Sequence, residues 1–293
     1  MENRKLITRP PVVVILGHVD HGKSSILESI KDLKITSQES GGITQHIAAY
    51  QIEHEGKQIT FIDTPGHEAF SGMRSRGSKV ADIAILVIAS EEGIKPQTKE
   101  AIKHIKSVGI PMIVVLNKID KPEADPEKVK RALMTEEIIV ESMGGKIPSV
   151  NVSAQTNQGI DEMLEIISLI AEMENLKVDI NASADGVVIE SRLDSKRGVT
   201  STLIIKSGTL KNGDVIGTYS TTGKVKIIED FKGNTLEVGT PSMPVLVIGF
   251  DNPPIVGEYF RVFDSIGEAR DNQQQEKELP EKLEKVDQES VLK

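Results

Sequence analysis

The feature that most restricts the fold of this chain is a glycine-bounded octapeptide near its N-terminus. Residues 17–24 read Gly-His-Val-Asp-His-Gly-Lys-Ser, which fits the phosphate-loop pattern GxxxxGK[ST]. An apolar run of strand length, Val12–Leu16, precedes the loop, and a helical candidate, Lys23–Ile30, follows it. A strand that leads into a helix through such a loop points backbone N–H groups and a helix N-terminus at one place, where an anion can bind. The motif therefore predicts a nucleotide phosphate site and leaves the base unspecified.

Individual residues of this loop have predicted roles. Lys23 is expected to contact the β- and γ-phosphates, and the Ser24 hydroxyl is expected to ligate Mg²⁺. A zinc site at His18 and His21 is rejected, because these histidines flank the glycines of the loop and have no third ligand nearby. The predicted nucleotide contacts in this segment are Gly17, His18, Val19, Asp20, His21, Gly22, Lys23, Ser24 and Ser25.

Up to about Leu176 the chain alternates strand-length apolar runs with amphipathic stretches. The predicted strands are rich in Val and Ile and have polar, Gly or Pro boundaries; they are Val12–Leu16, Ile59–Ile62, Ile83–Ala89, Met112–Leu116 and Ser149–Val152. The predicted helices are Lys23–Ile30, Gln97–Ser107, Pro126–Ile139 and Asp161–Met173. This alternation predicts an α/β fold with a doubly wound, mostly parallel sheet.

The pattern changes near Asp179. From Gly186 to Phe263, short strands are separated by turn signals about every ten residues, which is typical of a small antiparallel β-barrel. We therefore divide the chain into a lead-in (1–10), a nucleotide-binding domain (11–178), a β-barrel domain (179–266) and a polar, charged tail (267–293). Two interpretations of the tail are open: a solvated or frayed extension, which its lack of an apolar stripe favours, and the start of an inter-domain helix.

A second motif, Asp63-Thr64-Pro65-Gly66, directly follows a predicted apolar strand. Asp63 at the end of a strand can hold Mg²⁺ through a water molecule, and Gly66 can offer its backbone N–H to the γ-phosphate. Such a pair would sense which nucleotide is bound.

A third motif, Asn117-Lys118-Ile119-Asp120, follows the strand Met112–Leu116. The Asp120 carboxylate can accept hydrogen bonds from guanine N1–H and the exocyclic amine, whereas adenine presents an acceptor at N1. Asn117 is predicted to brace the loop, and the stem of Lys118 to lie along the base. A backbone N–H of Ser153-Ala154 is predicted to reach guanine O6. Because Asn117–Asp120 follows the phosphate loop and the Asp63–Gly66 motif in that order, it favours GTP over ATP as the nucleotide.

Two further segments are candidates for the hydrolysis step. Thr44 lies in a glycine-hinged stretch, Gly41–Ile47, where it would cap Mg²⁺ and the γ-phosphate only while GTP is bound. The alternative is an ordinary surface loop. His67, immediately after Gly66, is positioned in the sequence to orient an attacking water. The alternative for His67 is a helix-capping or surface histidine.

The charge and composition of the chain limit its partners and its compartment. The net charge is −9, and no section carries the basic excess that drives non-specific binding of nucleic acids, so any recognition of RNA must be local. The chain has no cysteine, no apolar run of membrane-spanning length and no apolar signal-peptide core. We expect a cytoplasmic protein.

In sequence order, GHVDHGKS, GGITQHI, DTPGHEAF and NKID resemble the G domain of translational GTPases, and most closely the bacterial-type translation initiation factor 2 family. The string ADGVVIESRLDSKRGVTSTLIIKSGTLKNGDVI is similar to the second, β-barrel domain of the same family. The resemblance runs from about Arg9 to Arg270. It implies a GTPase that acts on the ribosome and promotes initiation and subunit joining.

The resemblance also implies roles for individual residues. Thr44 resembles the switch threonine bound to Mg²⁺, and His67 resembles the water-positioning histidine that the ribosome sets in place. Val19 and Ile43 resemble the apolar pair that gates this histidine, and Asp20 resembles an aspartate implicated in binding a monovalent cation and in positioning the histidine. The implied cofactors are GTP or GDP and Mg²⁺, with a monovalent cation as a further candidate.

The implied partners are the RNA of the small ribosomal subunit, through the barrel, and that of the large subunit, as the activator of hydrolysis. No membrane partner is implied, and a monomer is expected. Ser24 stands where the family usually has threonine. The family's later domains, which bind initiator tRNA, do not follow the barrel, so initiator-tRNA recognition is not expected. The alternative function is therefore a truncated or short homologue that binds the ribosome in a GDP/GTP-dependent way without recognising initiator tRNA.

Overall fold

The computed structural model describes residues 5–34, 49–62 and 80–274. The chain divides into two compact units. One comprises Thr8–His67 and Gly77–Leu176, and the other comprises Met1–Ile7, Glu68–Arg76 and Lys177–Lys293. Across the described ranges, no helix is both long and apolar enough to cross a membrane.

The unit that contains the phosphate loop is built on a six-stranded sheet. After a short first strand, β1 (Leu6–Thr8), its strands in chain order are β2 (Val12–Gly17), β3 (Ala49–His54), β4 (Lys57–Ile62), β5 (Ile83–Ala89), β6 (Met112–Asn117) and β7 (Ser149–Asn151). Their order across the sheet is β3-β4-β2-β5-β6-β7, and every pairing except β3–β4 is parallel. All residues of β5 and β6 are buried, as expected for central strands covered on both faces.

Within the described residues, four α-helices accompany these strands. They are α1 (Lys23–Lys34), α2 (Pro96–Val108), α3 (Pro126–Thr135) and α4 (Ile160–Met173), with a 3₁₀ turn at Glu141–Met143. The predicted doubly wound, mostly parallel sheet is confirmed. Each predicted strand is present with ends that differ by one or two residues at most. These elements follow from the short Val- and Ile-rich runs and the helical periodicity between them.

Three details of this unit differ from the sequence prediction. Helix α1 runs on to Lys34 instead of ending at Ile30. Helix α3 ends at Thr135 instead of Ile139, because Glu137 adopts a positive φ of 59°, which breaks the helix and turns Ile138 into the core. Strand β3 was not predicted; it pairs with β4 through a tight turn at Glu55-Gly56, where both residues have positive φ.

The second unit is a closed antiparallel barrel, which confirms the predicted fold class. Six strands close the ring in the order β12-β17-β9-β10-β16-β13, and β12 pairs with β13. The strands in chain order are β8 (Lys177–Asp179), β9 (Asp185–Asp194), β10 (Gly198–Ser207), β11 (Leu210–Lys211), β12 (Val215–Gly217), β13 (Thr222–Glu229), β14 (Thr235–Leu236), β15 (Val238–Gly239), β16 (Pro244–Phe250) and β17 (Tyr259–Phe263). Inward-facing side chains such as Leu203, Val247 and Phe260 fill the ring.

A fifth helix, α5 (266–274), follows the barrel where the sequence favoured a solvated extension. Ser265 caps it: the Ser265 hydroxyl accepts a hydrogen bond from the Glu268 backbone N–H at 3.2 Å. Ala269 is buried, so one small apolar side chain of this helix packs in the interior. A single alanine is not enough to form an apolar stripe that would mark the helix in the sequence. The rest of the predicted tail, 275–293, lies outside the described residues.

Candidate nucleotide site

The predicted phosphate and base motifs meet at one edge of the parallel sheet. Strand β2 ends at Gly17, where the phosphate loop starts, and β6 ends at Asn117, where the third motif starts. The segment Ser153-Ala154 comes just after β7. Because parallel strands place their carboxyl ends on the same side, loops that are far apart in sequence converge there, which is the usual ligand-binding edge of such sheets.

Two glycines allow the phosphate loop to close. Gly17 has a φ of 147° and Gly22 a φ of 87°, both in the range that favours glycine. A Cβ on Gly17 would overlap the Val87 carbonyl of the neighbouring strand, and one on Gly22 would overlap the Asn117 side-chain amide. Helix α1 begins directly after Gly22. The loop is therefore packed tightly against two strands.

The lysine of the motif is held within the loop. The Lys23 ammonium donates hydrogen bonds to the carbonyl oxygens of Gly17 at 3.0 Å and His18 at 2.6 Å. Ser24 and Ser25 follow in the first turn of α1, and both are exposed. The cation and the backbone N–H groups of this turn lie together at a helix N-terminus, where a phosphate group would be stabilised.

Asn117 joins the three loops through its side-chain amide. Its Nδ2 donates to the His21 carbonyl oxygen at 2.9 Å, and its Oδ1 accepts a hydrogen bond from the Ala154 backbone N–H at 3.3 Å. The residue is buried; its bond to His21 forms away from solvent, and its bond from Ala154 is partly buried. The segments predicted to hold phosphate and base are thereby connected by one side chain.

Asp120 is oriented by a hydroxyl. The Ser153 Oγ donates to Asp120 Oδ1 at 2.6 Å and accepts a hydrogen bond from the Thr156 backbone N–H at 3.2 Å. The sequence prediction assigned guanine O6 to a backbone N–H of Ser153-Ala154. The Ser153 N–H donates to the Gln158 carbonyl at 3.0 Å, and the Ala154 N–H donates to Asn117 Oδ1 at 3.3 Å. Ser153 thus contributes its hydroxyl, and its N–H is already used within the loop.

Two contacts at this edge were not predicted from the sequence. Gln97, in the first turn of α2, accepts a hydrogen bond from the Val19 backbone N–H through its Oε1 at 2.9 Å, and the Val19 side chain itself is exposed. Glu91, just after β5, contacts both Lys118 and Lys121. The signal that could have found Glu91 is its position directly after a central parallel strand, at the edge where the other motifs lie.

His21, within the phosphate loop, has a buried side chain. Its Nδ1 lies 3.3 Å from the Val87 carbonyl oxygen, and the His18 ring packs edge-on against it with centroids 5.1 Å apart. Burial lowers the pKa of His21, so the ring is neutral at neutral pH and donates to Val87. Its role in this geometry is to support the loop.

Several predicted site residues lie outside the described residues. They are Ile43, Thr44, Asp63, Gly66 and His67. The parts of the site assigned to Mg²⁺ coordination, to sensing of the γ-phosphate and to water positioning therefore remain sequence predictions.

Comparison with known protein families gives two adjacent matches. Residues 9–173, more than half of the chain, match the elongation factor Tu GTP binding domain. Residues 183–263 match elongation factor G domain 2. The first match includes all three loops of the site, and the second covers the barrel.

Curated relatives are named translation initiation factor IF-2. The protein from Carboxydothermus hydrogenoformans is 50% identical over 277 residues, which is 92% of this chain and 34% of that protein. The protein from Halalkalibacterium halodurans is 50% identical over 279 residues, 93% of this chain and 38% of that protein. This chain therefore spans little more than a third of the length of these relatives, and the predicted resemblance to bacterial initiation factor 2 is confirmed.

Solved structures agree on the fold. The crystal structure of GDP-bound aIF5B from Aeropyrum pernix superposes with a TM-score of 0.77 at 29% identity, covering 92% of this chain and 56% of that one. The translation elongation factor SelB from Methanococcus maripaludis superposes with a TM-score of 0.67 at 24% identity, covering 88% and 56%. With the match over residues 9–173, these findings show that the chain belongs to the elongation factor Tu GTP-binding domain family.

Proposed function

We propose that this chain binds and hydrolyses GTP on the ribosome as a translation initiation factor, and that it promotes initiation and subunit joining. The observation that carries the proposal is the Asn117 side chain, which joins the phosphate loop to the loop of Asp120 at the ligand-binding edge of the sheet. The likeness to IF-2 over nine-tenths of the chain supports the initiation role in particular.

Guanine selection is assigned to Asp120. One of its oxygens accepts a hydrogen bond from Ser153, and this contact orients the carboxylate. Its remaining lone pairs can accept from guanine N1–H and the exocyclic amine. Adenine offers an acceptor at N1, and a site with a fixed carboxylate there rejects it because the charged carboxylate would face a second acceptor with no hydrogen between them.

Phosphate binding is assigned to the turn between β2 and α1. Lys23 and the N-terminus of α1 supply positive charge, and the loop supplies N–H donors. The exposed hydroxyl of Ser24, in the first helical turn, fits a Mg²⁺ ligand, and Thr44 and Asp63 (through water) complete the proposed set. When bound, Mg²⁺ neutralises charge on the phosphate oxygens. Asp20 is the proposed contact for a monovalent cation.

Hydrolysis is assigned to His67, which would orient the attacking water, with Val19 and Ile43 gating its approach. Support for the gate is that Val19 exposes its side chain while Gln97 fixes its backbone. We propose that RNA of the large subunit activates this step, that the barrel docks on RNA of the small subunit, and that the protein works as a cytoplasmic monomer.

Turnover of GTP with and without ribosomes tests the proposal, with subunit joining followed in the same samples. We expect turnover to be slow alone and strongly stimulated by ribosomes. His67→Ala should keep its GTP affinity and lose stimulated hydrolysis by about 10²-fold or more, the range for a water-positioning group. Equal stimulation of the variant would remove His67 from the mechanism, and absence of stimulation in the unmodified protein would refute the ribosome-dependent activity.

A further inference from the structure

Glu91 lies at the centre of a charged cluster beside the base-reading loop. Its Oε1 accepts a hydrogen bond from the Lys118 ammonium at 2.9 Å, and its Oε2 lies 2.8 Å from the Lys121 ammonium. The Glu91 side chain is 16% exposed and that of Lys118 is 21% exposed. Both lysines belong to the segment around Asp120, so one carboxylate contacts this segment at two points.

The cluster continues on the other side of Lys118. Glu92 Oε1 lies 3.6 Å from the Lys118 ammonium, and Glu92 Oε2 lies 3.4 Å from the Lys95 ammonium. Lys118 therefore has a close carboxylate partner and a more distant one, both in the short connection between β5 and α2. A network of this kind restrains side chains more than an isolated exposed pair does.

The backbone at Lys118 is also constrained. The residue has a φ of 63°, in the left-handed region that a non-glycine residue occupies at some cost. It comes directly after the buried Asn117 and two residues before Asp120. The start of its side chain is thus fixed by the backbone, and its end is fixed by Glu91. A free lysine side chain would instead sample many rotamers, which a ligand would have to restrict on binding.

We propose that Glu91 is a positioning residue for the guanine base: by holding the Lys118 ammonium to one side, it keeps the aliphatic stem of Lys118 where the face of the base will lie. The inference rests on the proposed function, because it assigns a partner to the base site. Lys121 is the second cation that keeps the carboxylate in place.

The charge state of the cluster fits this role. Hydrogen bonds from Lys121 and Lys118 hold the pKa of Glu91 below its ordinary value. Its carboxylate is therefore ionised throughout the neutral pH range, which the contact with the Lys118 ammonium requires.

The test compares Glu91→Gln with a matched control, Glu123→Gln. Glu123 is an exposed carboxylate that follows the same motif and acts on Lys121 at longer range. Dissociation of fluorescent GDP from the full chain should be about fivefold faster in Glu91→Gln, the size expected for a partly exposed charged network. It should be unchanged in Glu123→Gln, and both variants should unfold at the same temperature as the unmodified protein.

A double-mutant cycle then shows whether Glu91 acts through Lys118. In a Lys118→Met background, which keeps an apolar stem, Glu91→Gln should no longer change GDP dissociation. A full effect in that background, or equal rates for Glu91→Gln and Glu123→Gln, would overturn the inference. Glu91→Asp, which keeps the charge, should release GDP more slowly than Glu91→Gln, and equal rates for these two folded variants would contradict the positioning role. If the glutamine variant is unstable, Glu91→Ala replaces it in the same comparisons.

Measurements on the unmodified protein distinguish a failure of the proposed function from a failure of the inference about Glu91. If it shows no preference for GDP over ADP, the proposed function fails. If it prefers GDP and the cycle shows no coupling between Glu91 and Lys118, only this inference fails.

Discussion

The two edges of the parallel sheet both carry ion pairs, and the pairs differ in kind. At the edge where β2 and β5 begin, the Arg9 guanidinium contacts both carboxylate oxygens of Asp82 at 2.6 and 2.7 Å, and each side chain is only 8% exposed. At the opposite edge, Glu91 bridges Lys118 and Lys121, and the three side chains are 16%, 21% and 44% exposed.

The difference in geometry indicates a difference in role. Asp82 also accepts a hydrogen bond from the Val12 backbone N–H at 2.8 Å, so the fork-shaped pair fixes the start of β2 against the start of β5. At the other edge the three side chains are more exposed, and Lys118 belongs to the loop that is proposed to contact the base. The first edge is therefore expected to contribute to stability, and the second to binding.

The largest effect that would test this comparison is at the first edge. Asp82→Ala leaves the Arg9 charge buried without its carboxylate, so we expect the free energy of unfolding to fall by about 3–5 kcal/mol. Chemical denaturation measures the change. Replacing both partners, as in Arg9→Met with Asp82→Leu, should restore most of the loss because no buried charge remains. GDP affinity of the folded Asp82→Ala protein should stay the same; a matching loss of affinity would show that the two edges are not separate.

The next effect concerns the base-reading edge. Asp120→Asn replaces an acceptor-only carboxylate with an amide that offers donors, so GDP affinity should fall by roughly 10²-fold or more and xanthine nucleotides should bind better. Competition titrations with GDP, XDP and ADP measure the change. The free energy of unfolding should change little, since Asp120 is exposed. Unchanged guanine preference would show that another residue reads the base.

The smallest of the three effects is at Ser153. Ser153→Ala removes the hydroxyl that orients Asp120 but leaves the carboxylate in place, so we expect GDP to bind about tenfold more weakly, as for a lost hydrogen bond to a charged group. Titrating GDP and XDP against this variant should show weaker binding of GDP without a switch to xanthine. A switch would mean that Ser153 determines specificity directly and not through Asp120.

The sequence predicted the second edge far better than the first. Loop motifs such as residues 17–24 and 117–120 are local, and a strand before them is enough to place them at the carboxyl edge of a sheet. The contact between Arg9 and Asp82 joins residues 73 positions apart, and no local pattern marks either one. Local patterns also failed where one backbone angle decides the outcome, as at Glu137, which ends α3 early.

Within the candidate site, the side chains expected to touch a ligand could be proposed from residue type, whereas the contacts that support them could not. Asp120 is proposed from the chemistry of guanine, because such a role depends on residue type. Ser153 Oγ, Gln97 and Glu91 support the loops from other strands and helices, and their roles depend on distances that only the folded chain defines.

The amide of Asn117 has a thermodynamic consequence for any ligand with two ends. Since the same buried side chain bonds to His21 on one side and Ala154 on the other, ordering either loop lowers the entropic cost of ordering its neighbour. Coupling of this kind is reciprocal, so a diphosphate and a guanosine would each raise the affinity for the other even without a covalent link between them. Intact GDP would then bind more tightly than the sum of its fragments indicates, and loosening of either loop would speed its release.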